Sequence, residues 1–220
     1  RPKITVIQTL DDLIAFLRRF HSYDAAGDSS VVPPEFPPAL ATFYAELAGL
    51  IDVEPTAENQ HRAPLAAQDA FTPLDRIKYV DDMVEFAWEN QGNWSARCSF
   101  DHADGNVYSN AAEAWGEGDG FEPVCDSLAH FITTLSLQEA VMSCPHLVSV
   151  QTEKLDAAID AALPPLWLDG HFVYGEPTHN FYHNAQLDLI AMNWGGIWLG
   201  SHNPSFRELV KPDVGFTVIQ

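Results

Sequence analysis

The sequence predicts an α+β fold, a single domain in which a mostly antiparallel sheet carries helices on one side. Strand-like and helix-like segments follow one another without the regular strand-helix-strand order of a parallel sheet. Two pairs of strand candidates flank short turn-like segments at 90–93 and 193–196, which is typical of hairpins. With 220 residues, of which 46% are hydrophobic, the chain is long enough to bury one full core.

The N-terminal third is predicted to be mainly helical, after an edge strand at residues 3–8. Thr9 and the two acids that follow it have the composition of a helix cap and an acidic first turn. The apolar residues that recur behind them at helical spacing are Leu10, Leu13, Ile14, Leu17 and Phe20. A proline-rich loop at 24–38 leads to a second helix that begins at Pro38. Residues 54–73 have no sustained period, so we expect a loop there.

The middle of the chain has the strongest strand pattern. Residues 83–88 and 94–100 are two runs of apolar, β-branched or aromatic residues on either side of the polar turn at 90–93. The second run alternates, so that one face of its strand should be buried and the other accessible. The residues on its apolar face are Trp94, Ala96, Cys98 and Phe100. The turn residues Asp104-Gly105-Asn106 then predict a third strand at Val107-Tyr108.

Helices and strands are interspersed in the last hundred residues. Ser127 is predicted to cap a helix that Pro145 helps to close, and Thr152 begins another that stops at Pro164. Four short strand candidates follow, and two of them form the second predicted hairpin. The candidates are residues 172–174, 187–191, 197–199 and 216–219. Trp88 and Trp198 are expected in the core.

One segment carries a family resemblance. Glu89-Asn90-Gln91-Gly92 follows a hydrophobic strand, an aromatic residue stands two positions later, and an acidic loop leads into Val107-Tyr108-Ser109-Asn110. With Trp115 and a late helix that starts at Ser127, this pattern resembles the SUKH superfamily of bacterial immunity proteins and fungal cell-wall regulators. The early helix is similar to that of the superfamily as well, through Pro37, Pro38, Leu40, Phe43, Tyr44 and Gly49.

The resemblance implies one SUKH-like domain over residues 1–220. Its core pattern spans about 37–145, and the C-terminal strands at 166–220 match only loosely. The chain departs from the superfamily at Asp104-Gly105-Asn106, where that pattern has an acidic residue followed by prolines.

The net charge of −20, from 31 acidic and 11 basic residues, excludes some partners. Nucleic acid is an improbable direct ligand because phosphate contacts need clustered Lys and Arg. Residues 81–126 contain eleven acids against one base, Arg97, so half of the excess charge is concentrated there. A negative surface beside the aromatic rings of Trp94 and Trp115 suits the capture of a basic protein, although acidic loops also serve solubility alone.

Enzymatic motifs are weak in this sequence. His179 and His183 with Asp188 nearby are the best metal candidates, but Gly175 and Pro177 disfavour a helix there, and in a strand the two rings lie too far apart for one ion. No nucleophile elbow or phosphate-binding glycine pattern is present. We therefore expect no catalytic residue, no metal and no cofactor.

The cellular context is predicted from cysteines and hydropathy. The three cysteines, Cys98, Cys125 and Cys144, are an odd number without metal-ligand spacing and are expected to be reduced. No run approaches the roughly 20 apolar residues that a membrane span needs, and the first residues lack the apolar core of a signal peptide. These observations favour a cytoplasmic protein without membrane contact.

The resemblance implies a non-enzymatic immunity protein that binds and neutralises a polymorphic bacterial toxin, such as a basic nuclease domain, through an acidic surface. Two alternatives remain open, a regulatory scaffold of the same fold and a metal-dependent hydrolase that uses His179, His183 and Asp188. The predicted partner contacts are Glu89, Trp94, Asp101, Asp104, Tyr108, Trp115, Glu117 and Asp119.

Overall fold

The computed structural model describes residues 7–52, 63–101, 104–150, 163–209 and 216–219, and its helices and strands confirm the α+β class. The helices in this part of the chain are α1 (Leu10–Phe20), α2 (Pro38–Ile51), α3 (Ala111–Ala114) and α4 (Leu128–Met142). The strands are β1 (Asp69–Phe71), β2 (Lys78–Val80), β3 (Met83–Glu89), β4 (Ser95–Ser99), β5 (Val107–Ser109), β6 (Glu122–Cys125), β7 (His146–Val150), β8 (Pro165–His171), β9 (Pro177–Asn184), β10 (Leu189–Asn193), β11 (Ile197–Ser201) and β12 (Phe216–Ile219).

The strands form two antiparallel sheets instead of the single sheet that the sequence predicts. The first sheet has the order β1-β3-β4-β5-β6, with β2 also paired to β3. The second has the order β12-β7-β11-β10-β9-β8. Both predicted hairpins are confirmed, because β3 pairs with β4 in the first sheet and β10 pairs with β11 in the second.

Helix α4 lies between the two sheets and contacts strands of both. The expected arrangement, with helices on one side of one sheet, is therefore corrected. Ser127 caps α4 as predicted, since its hydroxyl accepts the backbone N–H of His130 at 3.1 Å. Thirteen of the 15 residues of α4 are buried. A helix covered from two sides has no wet face, so its sequence lacks a single apolar stripe.

The first two helices begin as predicted. Thr9 and Asp12 form a reciprocal capping box at the start of α1, and Pro38 is the first residue of α2. Most of the predicted edge strand and nearly all of the predicted helix after Thr152 fall outside the described residues. Ile7, at the boundary, donates its backbone N–H to the carbonyl of Leu166 in β8 at 3.0 Å.

One buried apolar cluster joins α1, α2, α4 and both sheets. Trp198 packs against this cluster, as the sequence predicts. Trp88 does not, because 41% of it is exposed. The pairing of β3 with β4 is irregular between Glu85 and Ala87, and this bulge shifts the alternation so that Trp88 faces outward. Among the described helices, none has the length and apolar content that a membrane crossing requires.

Candidate functional site

A pocket of about 370 Å³ lies between residues of the two sheets. We call it the aromatic pocket, because most of its wall consists of ring side chains. The residues that line it are Gln68, Asp69, Glu89, Trp94, Trp115, Phe172, Val173, Tyr174, Thr178, His179 and Trp194. It contains three of the predicted partner contacts, Glu89, Trp94 and Trp115, and brings them together with side chains of residues 172–194, which lie more than 50 residues further along the sequence.

Two carboxylates from neighbouring strands line one side of the aromatic pocket. Asp69 in β1 and Glu89 in β3 are directly opposite each other in the antiparallel register. Both are largely buried, with 5% and 8% of each residue exposed. Two carboxyl groups buried at directly opposed positions beside a pocket mark a candidate binding site.

A third carboxylate, that of Glu139 in α4, organises the backbone that leads into β1. It is fully buried and accepts the N–H groups of Ala67, Gln68 and Asp69, the last two at 2.8 and 3.0 Å. Three backbone donors favour the ionised form of Glu139 and oppose the effect of burial, which raises its pKa. The side chain of Glu139 therefore holds the segment before β1 in place through three hydrogen bonds.

Asp69 is left with little stabilisation of its own charge. The side-chain amide of Gln138 donates to its Oδ2 at 2.6 Å, and no other described group donates to the carboxylate. Burial, followed by the nearby charge of Glu139, raises the pKa of Asp69 to about 8. The ionised form of Asp69 is thereby disfavoured, and its Oδ1 faces no donor from the described residues.

His179 in β9 is a neutral wall of the pocket. Burial lowers its pKa to about 3. Its Nε2 lies 3.2 Å from the side-chain oxygen of Gln138 and its Nδ1 lies 2.8 Å from the hydroxyl of Thr178, so both ring nitrogens are occupied. The amide of Gln138 thereby connects the histidine to Asp69. The pocket wall gains no positive charge that would neutralise the two carboxylates.

Aromatic rings cover the rest of the wall and continue to the mouth. Trp194 stacks on His179 with ring centroids 5.0 Å apart, and Trp94 contacts Phe172 edge to face at 5.4 Å. At the mouth, the rings of Trp115 and Tyr174 contact each other with centroids 5.6 Å apart. Three mouth rings are unusually exposed for their size, with Trp115 at 52%, Tyr174 at 48% and Trp194 at 42%.

The predicted contacts differ in how exposed they are in the structure. Asp101, Trp115, Glu117 and Asp119 are exposed, and Tyr108 is half-buried. Trp94 is 4% exposed and lines the pocket. Glu89 has a second task, since its Oε2 accepts the backbone N–H groups of Gln91 and Asn93 in the hairpin turn.

Asp104 is exposed but is held by its own chain. Its two carboxylate oxygens accept the hydroxyl of Ser127 at 2.8 Å and the backbone N–H of Ala129 at 2.9 Å. These donors belong to the first turn of α4, where an acidic side chain is stabilising. The structure thus gives Asp104 a capping role, which its position in an acidic loop did not reveal.

Asp104→Ala is expected to lower the free energy of unfolding by about 1 kcal/mol, the usual contribution of a helix cap. Chemical unfolding in urea measures this loss. Asp101→Ala is the matched control, because Asp101 is exposed and its side chain makes no hydrogen bond to a described residue. Equal stability of the two variants would contradict the capping role.

Arg97, the single base of residues 81–126, anchors Phe121 directly before β6. Arg97 pairs with Glu85 at 3.0 Å and places its guanidinium 3.7 Å from the ring centroid of Phe121. The described ion pairs engage Glu46, Asp75 and Glu85, so the carboxylates of Glu117 and Asp119 have no cationic partner in the described chain. Glu117 and Asp119, which follow Trp115 in the chain and which we call the acidic rim, are therefore free to bind.

The geometry does not support the metal-dependent hydrolase. His179 and His183 are four residues apart in β9, which separates their backbones by about 13 Å. His183 packs instead against the ring of Phe16 in α1, with centroids 5.1 Å apart. Within the described ranges, no three His, Cys, Asp or Glu side chains converge as a metal site would require.

Comparisons with protein-family profiles, with curated proteins and with solved structures found no match to this chain. The resemblance to the SUKH superfamily therefore stays a prediction, carried by its sequence motifs. The functional argument rests on the aromatic pocket and the acidic rim.

Proposed function

We propose that this chain is a non-enzymatic binding protein that captures a basic partner protein on the face around the aromatic pocket. In the specific form that the sequence resemblance implies, it is an immunity protein that neutralises a bacterial toxin such as a nuclease. The observation that carries the proposal is the exposed set of mouth rings, Trp115, Tyr174 and Trp194, beside carboxylates without cationic partners.

Exposed rings of this kind are suited to anchor a protein interface. Tryptophan and tyrosine are enriched among the residues that contribute most to binding, because they bury a large apolar area at small entropic cost. Three of them around one mouth leave an apolar patch that water covers poorly. A partner that covers the mouth removes this patch from water, over on the order of 800 Å² on each side.

The acids around the mouth supply attraction at longer range. Partial burial, followed by the nearby charge of Glu117, raises the pKa of the Tyr174 hydroxyl, which places Glu117 close to this ring. With a net charge of −20, the chain repels nucleic acid and attracts basic surfaces. Nuclease domains present such surfaces because they bind phosphates. The charge therefore favours a basic protein over the nucleic acid that such a protein would bind.

Co-expression tests the proposal directly. If the adjacent gene encodes an effector domain, that domain should arrest growth when produced alone, and this chain should restore growth and co-purify with the domain. Trp115→Ala combined with Tyr174→Ala should reduce the protection, whereas Trp88→Ala, an equally exposed tryptophan on β3 outside the pocket lining, should not. A chain that neither protects the cells nor binds the domain would overturn the proposal.

The association rate with that domain is expected to fall at least tenfold between about 20 and 150 mM salt, because screening shortens the reach of the acidic rim. Stopped-flow fluorescence of the mouth tryptophans measures the rate. Glu117→Gln with Asp119→Asn should slow association at low salt. Asp11→Asn with Asp24→Asn changes the net charge equally at exposed positions in and just after α1, and should have a smaller effect. A rate independent of salt would remove the steering role of the rim.

A regulatory scaffold would use the same face for a cellular partner that is not toxic. Growth arrest by the neighbouring effector separates the two functions.

A further inference from the structure

The carboxylates in the aromatic pocket have unused capacity to accept hydrogen bonds. Asp69 is 5% exposed and lines the pocket, yet only its Oδ2 has a donor from the described residues. Glu89 uses its Oε2 for the hairpin turn, and its Oε1 receives no donor from the described residues. One free oxygen on each of two opposed strands leaves a pair of acceptors that a ligand with several donors can occupy.

The rings and carboxylates together select a cation. A positive group placed over the faces of Trp and Tyr is attracted by their quadrupoles, and the attraction grows when water is excluded. None of the described ion pairs involves Asp69 or Glu89, so a cation that enters the pocket meets two carboxyl groups without a cationic partner in the described chain, and its charge favours the ionised form of Asp69. An anionic ligand would be repelled by these groups, and a neutral ligand with donors would lack the charge that strengthens a hydrogen bond to a carboxylate.

Among cations, the pocket suits a guanidinium better than an ammonium. A guanidinium is planar and stacks on rings, and it presents five N–H donors in a fork that matches two carboxylate oxygens. It is also more weakly hydrated, so it loses less on entering an apolar wall. The volume of about 370 Å³ is at the small end of ligand pockets, which span about 300–1,000 Å³. Such a space takes one side chain and excludes a folded segment.

We infer that the aromatic pocket is a binding site for a single arginine side chain of the partner, with its guanidinium on Asp69 and Glu89 and its stem between the mouth rings. This inference rests on the proposed capture of a basic protein and names the group that the chain recognises. The arginine would enter past Trp115 and Tyr174. The partner protein would then bury these two rings.

The probe for this site is N-acetylarginine amide, titrated into the full chain while the indole N–H signals of the six tryptophans are followed by NMR. The signals of Trp94, Trp115 and Trp194 should shift together with one dissociation constant, because all three line the pocket. N-acetylcitrulline amide has the same shape without the charge and should bind at least tenfold more weakly. N-acetyllysine amide, with a free ε-amine, should bind with intermediate affinity.

Two variants assign the contacts. Asp69→Asn keeps the size of the side chain and should weaken binding of the arginine probe about tenfold, and Trp194→Ala should weaken it severalfold. Asp101→Asn removes one exposed acid that does not line the pocket and should leave the affinity unchanged. A thermal melt of each variant shows that it is folded.

Equal affinity for the arginine and citrulline probes, or shifts confined to tryptophans outside the pocket, would overturn the inference. This outcome is independent of the proposed function, because the toxin domain could still bind with a salt-dependent rate. Conversely, tight and charge-selective binding of the arginine probe by a chain that fails to protect cells would support the site and contradict the immunity function.

Discussion

Glu139→Ala is expected to lower the free energy of unfolding by on the order of 5 kcal/mol, which would leave much of the chain unfolded at 37 °C. The alanine removes the common acceptor of three backbone N–H groups, those of Ala67, Gln68 and Asp69. Each unsatisfied buried donor costs about 1–3 kcal/mol, whereas a typical domain is stable by only about 5–15 kcal/mol in total. Urea unfolding followed by circular dichroism measures the loss.

The series Glu139→Gln and Glu113→Ala provides the controls for this result. Glutamine retains one acceptor oxygen and the volume of the side chain, so about half of the loss is expected. Glu113 is exposed on α3, and its replacement should change stability by no more than about 0.5 kcal/mol. If Glu139→Ala lost less than about 1 kcal/mol, water rather than the carboxylate would be satisfying the N–H groups.

The second large effect is a loss of stability as pH rises, which Asp69→Asn is expected to abolish. Asp69 holds its proton more tightly in the folded chain, with a pKa of about 8, than in the unfolded chain, where a carboxyl ionises near its usual 3.8. The folded state therefore binds more protons than the unfolded state between these values, and stability falls as pH rises through that range.

Buried histidines narrow the pH range in which the effect of Asp69 on stability is visible. Burial lowers the pKa values of His21, His179 and His183, so below about pH 6.5 the unfolded state binds more protons at these residues than the folded state. Their contribution to stability therefore rises with pH, opposite to that of Asp69. Between pH 4 and 6.5 the two effects oppose each other. Above pH 6.5 the histidines of the unfolded state lose their remaining protons, so their opposing contribution shrinks while the carboxyl effect grows. The histidines are common to the unmodified chain and to Asp69→Asn, so a comparison of the two isolates the contribution of the carboxyl group.

The carboxyl effect should lower the melting temperature of the unmodified chain by about 4–8 °C between pH 6.5 and 8, for a change of about 2 kcal/mol, against a smaller rise from the histidines. The groups that face Asp69 are Glu89 from β3, Gln138 and Glu139 from α4, and His179 from β9 through Gln138. Differential scanning calorimetry at the two pH values measures the drop. Asp69→Asn should remove most of it, and Asp101→Asn, at an exposed site, should not.

A drop that persists unchanged in Asp69→Asn would place the titrating proton on another group, with Glu139 as the first candidate because burial raises its pKa as well. If the arginine probe removed the drop in melting temperature, the calorimetry and the probe titration would report on the same carboxyl group. A guanidinium in the pocket would displace the proton of Asp69 and stabilise the ionised carboxylate.

Local elements of the fold were predictable because their determinants are adjacent in the sequence. The capping box of Thr9 and Asp12 and the cap at Ser127 depend on residues within one turn of each helix start. The two hairpins depend on short turns that force neighbouring strands to pair. For the same reason, the central strand pattern correctly predicted that Cys98 is buried.

Part of the candidate site was predictable from charge and aromatic content. Trp115, Glu117 and Asp119 were expected on an accessible acidic face, and all three are exposed. Glu89 and Trp94 were predicted for that face as well, but the structure places them in a pocket wall. A strand pattern distinguishes two faces and does not reveal what the second sheet brings against one of them.

Composition and near neighbours therefore predict the α+β class, the helix starts, the hairpins and the excess of negative charge. The division of the strands into two sheets around α4, and the meeting of Asp69, Glu89 and His179 in one pocket, became visible only in the folded chain. Asp69 lies in a segment without periodicity, and Glu139 looks like an ordinary helix residue in the sequence. Their role depends on contacts between residues about 70 or more positions apart, which no local pattern records.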